Sequence, residues 1–179
     1  MSGPGDGPGA GEGAALARPR LAPIPLAVLP RGAFHTPRNI RFSDCDPAGI
    51  AYTARLVDLM NGAIEDLFPA RLGLSYHAVI RERRVGLGYG RVDCDFLLPA
   101  LMGDALVMSV LVDRVGAGSI AWRVHIHRDD EEVARGQLVT VTTSLDGHKA
   151  IAAPDWLREP LLAYRAECQA GVEKGGLLA

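Results

Sequence analysis

The apolar positions follow a helical rhythm between residues 53 and 68 and a strand rhythm from residue 91 onward. Leu56, Leu59, Met60, Ala63, Ile64, Leu67 and Phe68 step by three and one, so they share one helix face. Arg55, Asp58, Asn61, Glu65 and Asp66 take the other face. Thr53 suits the first turn and Pro69 the stop. A less regular stretch from Ser75 to Arg84 fits a short helix. Then the period falls to two. Val92, Cys94, Phe96 and Leu98 alternate with Arg91, Asp93, Asp95 and Leu97, which predicts a strand with the Cys94 face in the core. Leu106 to Val112 is almost all apolar and reads as a strand covered on both faces. Ile120, Trp122, Val124 and Ile126 alternate with Ala121, Arg123, His125 and His127. Val133 to Ser144, rich in Val and Thr, is the last long strand. Turn residues at Pro99, Gly103-Asp104, Gly116-Ala117-Gly118 and Asp129-Asp130 leave hairpin-length connections, so neighbours run antiparallel.

A short first strand is expected over Asn39 to Ser43, and a closing helix from Pro154 with Trp156, Leu157, Leu161, Leu162 and Cys168 as its apolar positions. One strand, one long helix and four strands in meander give an α+β fold. The economical form is a curved antiparallel sheet of about five strands wrapped around one long central helix. Residues 1–13 hold six glycines and two prolines, and residues 1–33 are expected to be a disordered tail whose removal changes little. The folded domain is expected over 34–170, with 171–179 a flexible C-terminus.

Composition narrows the function classes. The chain has 179 residues, 48% hydrophobic and 22% charged, with net charge −2. That is ordinary globular composition, and it lacks the basic footprint of a nucleic-acid binder. No stretch approaches the roughly 18 apolar residues of a membrane span. Leu21 to Pro30 is too short, and Pro23, Pro25 and Pro30 interrupt it. Cys45, Cys94 and Cys168 are far apart and odd in number, which reads as reduced thiols in a cytoplasmic protein.

The most specific local feature is Asp44-Cys45-Asp46-Pro47-Ala48-Gly49-Ile50-Ala51-Tyr52. A carboxylate in a Pro/Gly loop precedes a helix start, whose unpaired N–H groups and positive dipole end favour a developing oxyanion. The pairing serves acyl chemistry. On these residues alone, Asp44 or Asp46 reads first as a loop or capping carboxylate. His125 and His127 lie at i and i+2 on one strand face, but no third metal ligand is evident.

The run Asp-Cys-Asp-Pro-Ala-Gly-Ile at 44–50 resembles the 4-hydroxybenzoyl-CoA thioesterase branch of the hotdog-fold thioesterases. Tyr52, Gly103-Asp104 and Ser119 also fall where that family tends to have such residues, and the resemblance spans about residues 36 to 146. It implies that Asp46 is the catalytic carboxylate, as nucleophile or general base. It implies that the Thr53 backbone N–H polarises the thioester carbonyl, and that Gly49 lets the substrate approach, with Ile50, Tyr52 and Ser119 around it. It further implies a homodimer or homotetramer with sites between subunits, CoA as part of the substrate, and no metal or other cofactor.

Some relatives have His, Asn or a Tyr-Pro pair near positions 53 and 54; here these are Thr53 and Ala54. The family's basic loop is here Arg114-Val115-Gly116-Ala117-Gly118. The expected phosphate contacts therefore move to Arg81, Arg83 and Arg84, with Arg55, Arg123 and Arg128 next. The implied activity is hydrolysis of an acyl-CoA, with an aromatic acyl group suggested by the motif. Its rivals are a hotdog hydratase or dehydratase, which needs an acid–base His that this loop lacks, and a non-catalytic acyl-CoA or acyl-carrier binding module.

Overall fold

The computed structural model describes residues 21–170. Its elements are β1 (Phe34–Asn39), α1 (Thr53–Leu67), α2 (Tyr76–Arg81), β2 (Val85–Phe96), β3 (Ala105–Val115), β4 (Ser119–Arg128), β5 (Glu131–Ser144), β6 (Lys149–Ala150) and α3 (Asp155–Ala170). The strands form one antiparallel sheet in the order β1-β3-β4-β5-β2, with the two-residue β6 added to β5. The α+β curled sheet around a central helix is as expected.

The stepped apolar face of α1 buries Leu56, Met60, Ala63, Ile64 and Leu67. It lies against the sheet where Gly136 leaves room. A Cβ at position 136 would stand 2.5 Å from Met60 Sδ and 2.9 Å from Leu138 Cδ1, so glycine lets these two side chains pack as they do. Trp122 is fully buried, as expected, and its indole N–H donates to Thr140 Oγ1 at 2.9 Å. β3 is indeed covered on both faces. α3 packs on its outer side, where the Tyr164 hydroxyl accepts from Phe34 N at 2.7 Å and donates to Val110 O at 2.5 Å.

Several boundaries differ from expectation. The first strand is Phe34–Asn39, because Asp44 draws the following residues into a tight turn: its carboxylate accepts Arg41 N at 2.8 Å. Pro69 does not end the coil. Phe68–Leu72 continues as a wider turn, and Pro69 sits at its start, where no N–H is needed. The Cys94 face of β2 is not core throughout. Cys94 meets Met60, but Val92 and Phe96 are 42% and 45% exposed, because β2 is the sheet's edge and α1 does not reach past it.

The largest correction concerns the tail. Residues 1–20 and 171–179 lie outside the described residues, but residues 21–33 are docked, with Leu29 and Ala33 buried. The reason is a polar cluster on the outer face of the sheet. The register places His35 beside Ser109, Ser109 beside His125, and His125 beside Arg135. Glu132 joins them, accepting from His125 Nδ1 at 2.6 Å and from Arg135 Nε at 2.9 Å. Buried polar groups need partners and cover. The segment supplies both: Arg135 donates to Ala22 O at 3.1 Å, His127 Nε2 to Ile24 O at 2.8 Å, and Ile24 N to Glu132 at 2.8 Å. Prolines 23, 25 and 30 restrict the unfolded chain and lower the entropy lost on docking.

This cluster makes stability depend on pH. His35 is exposed at its strand, and partial desolvation, with His127 and Arg71 adding to it, holds it below its ordinary 6.5. Burial also lowers His125, outweighing the pull of Glu132, while Arg135 and His127 push the same way. Burial opposes the charge on Glu132, but Arg135, His125 and Ile24 N–H hold it well below the carboxylate range. The unfolded histidines take up protons near 6.5 and the folded ones do not. The stability they support is therefore present above that pH and lost as pH falls through it. The urea midpoint should fall between about pH 7 and about pH 5, more steeply than in a His35→Gln/His125→Gln variant. Equal slopes would contradict the assignment.

Candidate active site

The loop between β1 and α1 is stitched at both ends. Asp46 N donates to Ile50 O at 2.9 Å, Gly49 N to Asp46 O at 3.0 Å, and Tyr52 N to Asp44 O at 2.8 Å. The turn at 100–104 forms its floor: Ala51 N donates to Ala100 O at 2.8 Å and Met102 N to Gly49 O at 3.0 Å. Asp104 braces that turn by accepting Leu101 N at 2.8 Å and Arg128 Nη1 at 3.0 Å. Gly49 has φ +76 with open space where a side chain would go. Glycine is required here by the backbone turn itself.

The two aspartates of the motif have separate environments. Asp44 is buried at 4% exposure and accepts from Arg41 N, and from Arg55 Nε and Nη2 at 3.1 and 2.8 Å. The Arg41 N–H, acting against burial and helped by Arg55, holds its carboxyl below the usual range. Asp46 is exposed. Its Oδ1 accepts Ala48 N at 2.8 Å and Ile50 N at 3.2 Å, while Oδ2 has no partner among the described residues. Between them, Cys45 has its thiol pushed up by desolvation and by Asp44 and Asp46, which disfavours a thiolate.

The start of α1 is open. Tyr52 occupies the cap position, 59% exposed, and makes no side-chain cap. Among the described residues nothing accepts the Thr53 or Ala54 N–H. Thr53 lines a cleft of about 280 Å³ with Ile50, Ala51 and Leu56 on one side and Phe96 through Ala100 on the other. It is largely apolar and ends on the positive pole of a helix. Asp46 opens on a neighbouring cavity of about 490 Å³ with Phe42, Gly49 and Met102. The segment 49–51 divides the two.

One chain thus places Ile50 and Thr53 on the cleft and Asp46 and Gly49 on the cavity beside it, with Tyr52 exposed at the helix start. Ser119, Arg83 and Arg84 lie at the opposite end of the sheet. Val85 pairs with Ser144 and Ser119 with Val141, whereas Phe96, beside the cleft, pairs with Ala134. Arg83 stacks on Trp156, 4.4 Å from the ring centroid, and Arg84 bonds Asp146 at 2.8 Å. Arg55 is held by Asp44 and Asp58. Leu97, Pro99 and Ala100 were not among the expected site residues. The available signal was Leu97, an apolar residue in the polar register of β2.

The fold and the loop together define a hotdog domain with an apolar cleft at the start of its central helix. Residues 40–161 match the family described as the thioesterase-like superfamily, and the chain belongs to it. A 1,4-dihydroxy-2-naphthoyl-CoA hydrolase from Synechococcus sp. (strain CC9902) is 32% identical over 107 residues, 57% of this chain and 71% of that one. The crystal structure of a 1,4-dihydroxy-2-naphthoyl-CoA thioesterase from Synechocystis superposes with a TM-score of 0.67 at 22% identity, covering 73% of this chain and 96% of that one. The structure of BH1999 gentisyl-coenzyme A thioesterase gives 0.66 at 19% identity, covering 72% and 99%. No helix among the described residues is long and apolar enough to cross a membrane.

Asp44 is predicted to be a structural carboxylate. Asp44→Asn keeps its shape but weakens charge-assisted bonds to Arg41 N and Arg55. It should cost about 2 kcal/mol, read as a lower urea midpoint at unchanged slope. An unchanged midpoint would show that the buried charge is dispensable.

Proposed function

We propose that this protein is a cytoplasmic acyl-CoA thioesterase that releases an aromatic or similarly compact acyl group as the free acid. The observation that carries the reading is the uncapped start of α1 opening on an apolar cleft beside the Asp46 loop. The acyl group occupies the cleft, with its thioester lying across the 49–51 segment. The Thr53 N–H and the helix dipole stabilise the negative charge that develops on the carbonyl oxygen. The two N–H groups on Oδ1 fix the Asp46 carboxylate and leave Oδ2 as the reacting oxygen. It either takes a proton from the attacking water or attacks the carbonyl itself to give an anhydride that water then opens. In both routes the C–S bond breaks, the CoA sulfur leaves and takes a proton, and water supplies the new carboxyl oxygen. The names of the relatives support an aromatic acyl group.

Release of free thiol, followed with DTNB across a panel of acyl-CoA esters, tests the reading. A thioesterase frees thiol, a hydratase changes the acyl chain without freeing it, and a binding module does neither. Asp46→Asn should lower kcat by about a hundredfold or more with the melting curve retained. Equal activity in wild type and variant would remove Asp46 from the chemistry.

The site is completed by a second copy of the chain. Beyond β2 no strand pairs its outer edge among the described residues, and Tyr89, Val92 and Phe96 are 40%, 42% and 45% exposed along it. An exposed apolar edge strand is a template for pairing. Two copies joined antiparallel along β2 cover these residues. The far end of the partner's β2, where Ser119, Arg83 and Arg84 lie, then comes to the Asp46 end of the first. Arginines suit the CoA phosphates there. Light scattering should give at least twice the 19.0 kDa of one chain. A fully active species of single-chain mass would sink this arrangement.

A further inference from the structure

The docked segment 21–33 and the acyl cleft share a wall. Leu97 and Leu98 line the cleft that Thr53 opens on, and they also line a second cavity, of about 350 Å³, against Pro23 and Pro25. Both leucines follow the last residue of β2, so sheet pairing no longer holds them. What holds them is one carbonyl: Val133 O accepts Leu97 N at 2.9 Å and Leu98 N at 3.1 Å. The residue before it, Glu132, is 1% exposed, and its carboxylate accepts Ile24 N at 2.8 Å. The Glu132-Val133 dipeptide therefore grips the cleft wall with its backbone and the N-terminal segment with its side chain.

We propose that residues 21–29 are a specificity-determining part of the cleft, a strap that fixes the Leu97-Leu98 wall from behind and so sets the acyl group that fits. The inference rests on the reading of this cleft as the acyl site. The strap has no chemistry of its own; it acts by position. It is held along its length, by Arg135 at Ala22, by Glu132 and His127 at Ile24, and by Asp130 Oδ1, which accepts Ala27 N at 3.1 Å. Pro23 and Pro25 have fixed φ and present stiff rings to the wall. An acyl group large enough to touch the wall senses the strap through it, and a small one does not.

Two variants test the proposal: a chain lacking residues 1–29, and the full chain with Pro23→Gly and Pro25→Gly, which leaves the buried histidine, glutamate and arginine cluster untouched. Amide exchange at Leu97 and Leu98 should quicken by about tenfold or more in both. KM for benzoyl-CoA should rise about threefold to tenfold, with kcat changing less. KM for acetyl-CoA should change by less than about twofold, because its acyl group is too short to reach the wall. An unchanged ratio of the two KM values in folded variants overturns the specificity role, even where exchange quickens. If the truncated chain melts below the assay temperature, the proline variant decides. If the wild type hydrolyses neither ester, the thioesterase reading has failed. Exchange at Leu97 and Leu98 then decides separately whether the strap holds the wall, and unchanged exchange overturns that too.

Discussion

The seating of α1 in the curve of the sheet is the contact on which the rest depends. The helix approaches until Met60 sits over Gly136, where no side chain stands between them. That closeness fixes the depth and direction of the helix, and hence the place of its uncapped start. A methyl group at 136 would have to displace the ends of the Met60 and Leu138 side chains, which are packed in the core. The other fixed point is Asp44, which joins the turn before the loop to Arg55 in the first turn of the helix. Seat and joint together hold the 45–52 loop between two rigid elements. A site that must present N–H groups to a developing charge benefits from such support, because preorganised dipoles need no rearrangement during reaction.

The same sheet carries an unusual load on its outer face. α3 covers only part of it. The remainder holds His35, Ser109, His125, His127, Glu132 and Arg135, most of them almost fully buried. Left to water these groups would need no cover. Buried, each needs a partner, and three of them, Arg135, His127 and Glu132, find one on the backbone of residues 22–24. The N-terminal segment is thus bound to the domain by these hydrogen bonds together with the buried Leu29 and Ala33. Among the described residues His127 Nδ1 is buried without a partner, so the segment satisfies only one nitrogen of that ring.

Much of this was legible in the sequence, and the exceptions have physical causes. The stepped face from Leu56 to Phe68 and the alternation around Trp122 gave the helix and the inner strands, because both are decided by local period. The loop at 44–52 stood out as a candidate site through its residue order. The docking of residues 21–33 was not, because no period announces a segment held by single contacts to distant strands, and its glycine-rich neighbour obscured it. The exposure of Val92 and Phe96 was not either. Alternation says that two faces differ, but it does not say whether the apolar one meets the core or a partner along a free edge. The distance of Ser119 and Arg83 from Asp46 follows from register, which one chain's pattern leaves open.

Two carboxylates two residues apart have opposite fates, and the difference lies in the turn between them. Asp44 points inward, where Arg41 N and Arg55 engage both of its oxygens and its burial keeps it from the surface. The backbone then reverses through Pro47 and Gly49. In that reversal Asp46 spends one oxygen on the N–H groups of Ala48 and Ile50 and keeps the other free. Had the turn lacked those donors, the Asp46 side chain would sample several rotamers and its free oxygen would have no fixed direction. Had Asp44 lacked Arg55, it would be an unpaired buried charge and would pull the loop outward. The Pro-Ala-Gly stretch therefore does more than make a bend. It assigns one aspartate to structure and aims the other, and that division is what the reaction proposed for Asp46 requires of this loop.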